Sequence, residues 1–356
     1  MRGKLGNWLI IGVTVVLSTA LVWVAAGMDK VYRNFDGPLY ITVAKTWYAK
    51  AVIANNYSFP LPLEYYPAHF PLYPALIDLV SLSGLNHLQA MVAVNLAATI
   101  TGAIVIYEIA QKRRWGQPLA VAIAWLFLWP RMWAVRSVGS PETLFITLLM
   151  LALWTFSEKK YWLAGVFGAL AVWTKSPAIL LIPVFLIINI IKNIKDYKSY
   201  IPIGILLASV LGLFTFFKIQ TGDFWAYFHT GDNIHLQALP FRIFDSNQVW
   251  VGSWWLEDVL WIYVIAAIGV WRAFKKDPVW GWWGAIFLAV ILFVSHRDIA
   301  RYSLPLVPTV LLGFSDIFAK KEVRIVLLVM LIPLFFYTVN FVTHNVMPIG
   351  NWGPFL

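Results

Sequence analysis

Apolar runs set the pattern of this chain. They occupy about 8–27, 88–110, 118–130, 141–157, 161–175, 177–191, 200–217, 259–272, 279–295, 302–318 and 324–342. A helix crosses the ~30 Å hydrocarbon layer with ~20 residues, and with fewer where a span is buried among others. The pattern therefore predicts an all-α polytopic membrane protein of about 11 transmembrane helices, one integral membrane domain over 1–356. The first run follows Arg2 and Lys4. It is long for a signal h-region and no small-residue cleavage site follows it, so it reads as a retained anchor. One further apolar stretch, FPLYPALIDLVSLS at 70–83, holds Asp78 and two prolines. As a helix it would reach only ~20 Å.

Composition removes the soluble alternatives. With 60% of residues hydrophobic and 12% charged, the chain has too few charges for a globular domain in water and too much apolar character for disorder. Cys is absent, which excludes disulfides, thiolate metal sites and thiol catalysis. The net charge of +10 suggests either a polyanion partner or a membrane topology, and its distribution decides. With the N-terminus cytoplasmic and 70–83 not crossing, the cytoplasmic side receives 16 of the 27 Lys and Arg, including every compact cluster. If 70–83 crossed, the far side would carry 18 against 9, contrary to the positive-inside rule. The non-crossing topology places six acids beside the 16 cations and leaves the outer side with 11 of each sign. The surplus is then a topology signal, and nucleic acid is not an expected partner.

Two sizeable extracytoplasmic loops follow, 28–87 and 218–258. In the first, PLYITVAKTWYAKAVIA places Leu39, Val43, Trp47 and Ile53 near one side, with Lys45 and Lys50 elsewhere, as an interfacial helix would. The 70–83 segment is read as a second one. The second loop is dense in Trp, Phe and Tyr and suits the headgroup layer.

Ionisable residues at the outer rims are the candidates for chemistry, because charge is costly there. Asp36, in RNFDGPLY after Arg33, is equally a helix cap and a catalytic carboxylate. Glu64, Tyr66 and His69 lie in LEYYPAHFPLYP, whose prolines fix the backbone. They are candidate substrate contacts, or parts of an ordered loop. Glu142 opens a helix in GSPETLFI just after Arg131 and Arg136. Ser-Pro-Glu is a good helix start, while two arginines and an acid at one rim suit a bound phosphate. Lys175 in WTKSP either snorkels outward or faces a ligand. In SHRDIARYSLP, which holds His296, Arg297, Asp298 and Arg301, an arginine is either paired with Asp298 or free for an anion.

The ordered set FDGPLYITVAKTWY, YYPAHFPLYP, SPETLF, TKSP and RYSLPLVP resembles the GT-C superfamily of polyprenyl-phosphate-sugar-dependent glycosyltransferases. It is most like the GPI mannosyltransferase II group and its prokaryotic relatives. The resemblance runs over roughly 29–310. The sequence departs from that pattern at His69, where an aromatic is usual, and at Lys175, where Arg is common. The resemblance implies an inverting transfer of a sugar, mannose for that group, from a polyprenyl or dolichyl phosphate to a lipid-linked or surface acceptor hydroxyl. The reaction would take place on the extracytoplasmic side of a plasma membrane, or of the endoplasmic reticulum in a eukaryote. Asp36 would take the acceptor proton. Arg301, Lys175, Arg131, Arg136 or Arg297 would hold the leaving phosphate. Glu142 would orient a hydroxyl or an arginine, and Glu64, Tyr66, His69, His296 and Arg33 would contact substrate. No cofactor is expected, with a divalent cation as the alternative. A lipid or small-solute transporter would need ionisable residues in mid-span, and the spans are nearly free of them. A non-catalytic membrane subunit would not gather acids, His and Arg on one face.

Overall fold

The computed structural model describes residues 2–192, 194–231, 235–248 and 256–356. Residues 232–234 and 249–255 of the expected second loop lie outside the described residues. The α-helices are α1 (Arg2–Ala26), α2 (Met28–Tyr32), α3 (Gly37–Thr46), α4 (Lys50–Asn56), α5 (Leu72–Ser81), α6 (His87–Arg113), α7 (Pro118–Phe127), α8 (Pro130–Arg136) and α9 (Glu142–Ser157). They continue as α10 (Tyr161–Val172), α11 (Leu181–Lys192), α12 (Ile201–Thr221), α13 (Leu256–Lys276), α14 (Pro278–Ile291), α15 (Ile299–Tyr302), α16 (Val307–Gly313) and α17 (Lys321–His344). The described residues contain two isolated β-bridges and no strand.

Polar contacts fix the direction of the chain. Lys4 Nζ lies 2.7 Å from Glu108 Oε2, and Asn7 donates to the Tyr107 hydroxyl at 2.9 Å. The start of α1 therefore packs beside the end of α6, and the two run antiparallel. Residues 27–86 leave and re-enter the bundle at the same end, with α5 among them. Every ion pair among the described residues joins two groups that the charge count puts on one side.

The exterior is apolar. Leu9 and Leu17 on α1, Leu207 and Leu211 on α12, and Leu328, Ile332 and Phe336 on α17 are all exposed. In water each would forgo about 1.5–3 kcal/mol of burial, so this belt faces hydrocarbon and the protein is integral to a membrane. Among the described residues four helices, α1, α6, α12 and α17, are long and apolar enough to span, and α7 with α8 makes a fifth bent by 78°. The bend falls at Trp129-Pro130, where proline disfavours a helical residue before it. Of the other runs read as spans, 141–157, 161–175, 177–191, 279–295 and 302–318 form shorter helices, while 259–272 lies in the 21-residue α13, whose Leu260, Trp261, Ile268 and Trp271 are exposed. The 302–318 run divides into the 3₁₀ turn Leu304–Leu306 and the buried α16. A helix wrapped in protein need not match the bilayer thickness. Close backbone approach helps: a Cβ at Gly313 would stand 2.2 Å from the Gly269 carbonyl oxygen, so α13 and α16 meet at a contact that only small residues permit.

The expected interfacial helix at the head of the first loop is not one helix. The chain breaks at Trp47 and Tyr48, both left-handed with φ of 47° and 67°, a conformation that bulky residues avoid. Leu39, Val43 and Ile53 do share the inward side, but α3 is buried nearly all round except at Lys45. It is a core element beneath the site.

Candidate functional site

A cavity of about 810 Å³ lies at the end of the bundle where the first loop emerges, and it is lined by Asp36, His69, Arg131, Glu142, Lys175 and Arg301, with aromatic rings between them. Asp36 occupies the N-cap position of α3, yet its carboxylate makes no capping bond. It pairs with Arg301 Nη1 instead. The same guanidinium donates through Nε to Glu142 Oε1 at 2.7 Å, and Lys175 Nζ donates to that oxygen at 2.7 Å. The Ser140 hydroxyl donates to Glu142 Oε2. Arg301 thus takes neither sequence alternative, since it bridges two other acids, and Lys175 does not snorkel.

The turn that presents Glu142 is pinned from below. In α6, Asn95 Nδ2 donates to the Val135 carbonyl at 2.8 Å and to that of Val138, while its Oδ1 accepts from Thr143 at the start of α9. Tyr73 accepts from Ser140 N at 3.1 Å and donates to the Met91 carbonyl at 3.0 Å. Sequence reasoning missed both residues. The available signal was an Asn inside a long apolar helix, which has to find a partner there. Leu72 N donates to the Trp173 carbonyl at 3.0 Å, tying the first loop to the approach to Lys175. Tyr227 of the second loop donates to Ser176 Oγ at 2.9 Å and closes the other wall.

Arg131 projects from α8 over the Phe341 ring, 3.7 Å from its centroid, and its Nη2 lies 2.7 Å from Asp298 Oδ1. Its Nε and Nη1 are buried without a protein partner. Arg297 is exposed at the rim and pairs with no acid among the described residues. His296 also lines the cavity, its ring 4.2 Å from that of His235 and its Nδ1 accepting from Asp298 N at 2.9 Å. His69 is buried edge-on to Tyr40 at 4.7 Å, with Nδ1 unpartnered.

Burial and neighbouring charge set the ionisation here. Burial works against the Asp36 carboxylate, but Arg301 and, less strongly, His69 outweigh it and hold the group below the ordinary range. Burial lowers the His69 imidazole to about 4 even though Asp36 opposes it. It raises Asp298 despite Arg131.

Four expected site residues lie elsewhere. Arg136 is buried on the far side of α8, donating to the Leu126 carbonyl at 3.3 Å, Thr19 Oγ1 at 2.9 Å and Ser18 Oγ at 2.9 Å. It stands five positions along the helix from Arg131, which turns it toward α1. Arg33 pairs with Asp29 at 3.1 Å and stacks on Trp352. Glu64 is exposed and bound to Lys50 at 2.9 Å. Tyr66 is buried outside the cavity, where its neighbour Tyr65 forms part of the lining. In the 3₁₀ turn Leu63–Ala68 adjacent residues point apart, which the segment alone did not reveal. Among the described residues no group of three or more His, Asp or Glu side chains is arranged to hold a metal ion.

No protein-family model and no curated protein matches the chain. Solved structures do. The chain superposes on ArnT from Cupriavidus metallidurans bound to undecaprenyl phosphate with a TM-score of 0.58 at 14% identity, covering 91% of this chain and 62% of that one. The chain shares the fold of this ArnT over most of its length. The apo state of the same ArnT gives 0.57 at 16% identity over the same shares. The chain therefore spans somewhat under two thirds of the ArnT length.

Proposed function

We propose that this protein is an inverting membrane glycosyltransferase that takes a sugar from a polyprenyl phosphate on the extracytoplasmic side. The observation that carries the reading is the presence in one cavity of an ionised carboxylate, Asp36 held by Arg301, and of a second guanidinium, Arg131, whose Nη2 meets Asp298 while Nε and Nη1 have no protein partner. The ArnT-like fold, and undecaprenyl phosphate in that ArnT structure, support the choice of donor.

In the reaction an acceptor hydroxyl attacks the anomeric carbon. Its C–O bond forms as the bond to the lipid phosphate breaks, with inversion. The acceptor proton passes to the Asp36 carboxylate, already ionised and fixed by Arg301 at the cavity wall. The phosphate leaves as an anion and needs cations more than a proton. Arg131 and Arg297 supply them through charge-assisted hydrogen bonds, joined by whichever N–H groups of Arg301 and Lys175 Glu142 leave free. Glu142 is a positioning residue, since all its contacts fix Arg301, Lys175 and the turn. His69, neutral, offers one ring nitrogen to a sugar hydroxyl.

The donor sugar is proposed to be mannose, following the sequence resemblance, with a lipid-linked or surface acceptor. Incubating the purified protein in lipid extract with radiolabelled mannosyl, glucosyl and arabinosyl polyprenyl phosphates tests this. Label from the mannosyl donor should enter a new product. Label only from another donor removes mannose, and label moved across vesicles unchanged, with no product, removes transfer itself.

A further inference from the structure

Residues 345–355 follow α17 and run back across the first loop. Phe35 N donates to the Asn345 carbonyl at 3.1 Å and Met347 N donates to the Arg33 carbonyl at 2.8 Å. These bonds flank the antiparallel bridge between Asn34 and Val346, the pattern of a non-hydrogen-bonded pair. Farther along, the Pro354 carbonyl accepts from Tyr57 at 3.0 Å, and Phe355 packs edge-on against the Tyr57 ring at 5.3 Å. The Arg33 guanidinium lies 5.3 Å over Trp352. Met347, Ile349 and Phe355 are buried. The segment therefore grips both ends of the first loop's helical part, and its firmest grip falls on the three residues before Asp36.

We infer that residues 345–355 are a strap that positions Asp36 against Arg301, an inference that rests on the transfer reaction proposed above. Asp36 has no capping bond, so apart from its pair with Arg301 its place depends on the path of 33–35 into α3. Two backbone bonds tie that path to the strap, in addition to the local turn bonds from Arg33 N to Asp29 and from Gly37 N to Asn34. The same element supports the other side of the site, because Phe341, one turn earlier in α17, lies beneath Arg131. One chain segment thus sets the separation between the proton acceptor and the phosphate-binding arginine.

The test uses the full chain. Met347→Pro removes the one N–H that binds Arg33, at a bridge position where Val346 is already extended as proline prefers. Met347→Ala keeps the N–H and loses only the side chain. Met347→Pro should lower turnover about tenfold or more while the apparent KM for the polyprenyl donor stays unchanged, as displacement of a group acting in the transition state requires, and Met347→Ala should remain near wild type. In parallel, Asn34→Cys with Val346→Cys, in a chain with no other Cys, should form a disulfide with copper phenanthroline, since such pairs place Cα atoms about 4.5 Å apart. The cross-linked protein should retain turnover. Unchanged turnover in Met347→Pro, a tenfold loss shared by Met347→Ala, no cross-link, or a cross-linked protein that is inactive would each overturn the strap. A wild type that transfers no sugar while the cross-link forms would sink the proposed reaction and leave the strap's geometry standing.

Discussion

At the scale of single residues, the site divides carboxylates by what surrounds them. Glu142 is enclosed by two cations and a hydroxyl, and Asp36 by one guanidinium beside open cavity. Asp36→Asn should therefore reduce transfer by about 10²-fold or more, the usual worth of a positioned base, with expression kept and the melting temperature lowered only by the loss of the Arg301 pair. An active Asn variant would remove Asp36 as the base. Its pH dependence follows from the lowered folded value: the stability from the Arg301 pair is full above the ordinary 3.8 and is lost only as pH falls through the lower folded one. His69 has the opposite consequence. The unfolded imidazole takes a proton near 6.5 while the folded one stays neutral to about 4, so acidification through that window costs stability. His69→Phe should flatten the fall in melting temperature between those pH values. An unchanged slope would show that other groups cause it.

At the scale of elements, the break between α7 and α8 gives two arginines of one short helix different work. Arg131 reaches the cavity, whereas Arg136 holds Ser18 and Thr19 of α1 with no acid beside it. Arg136→Met should lower the melting temperature and leave turnover within about threefold, because no group that touches substrate moves. Arg131→Met should do the reverse, raising the KM for the polyprenyl donor with little change in melting temperature. Equal kinetic effects would sink the division. The sequence put both arginines at one rim because their spacing shows proximity along the chain and not the helical phase relative to a kink.

At the scale of the whole molecule, the charges sort to two ends. Lys112 and Arg113 meet Glu158 at one end, and Arg301 meets Asp36 and Glu142 at the other. Single cysteines at Gln111 and Asn55 should therefore react with an impermeant thiol reagent from opposite sides of the membrane, the former from the cytoplasm. Labelling of both from one side would overturn the topology. No native Cys interferes.

The sequence by itself determined the membrane habitat, the helical class and the sorting of charge to two ends, because hydrocarbon imposes rules that are local and additive along the chain. It also marked Asp36, His69, Glu142, Lys175 and Arg301 as residues at the rims. Only the tertiary structure decided which rims coincide. It turned the cap candidate Asp36 into Arg301's partner, sent Arg136 and Glu64 away from the cavity, and brought in Asn95, Tyr73 and the strap at 345–355. Those outcomes depend on helix rotation, kinks and contacts between residues tens to hundreds of positions apart, and a one-dimensional pattern holds no record of them.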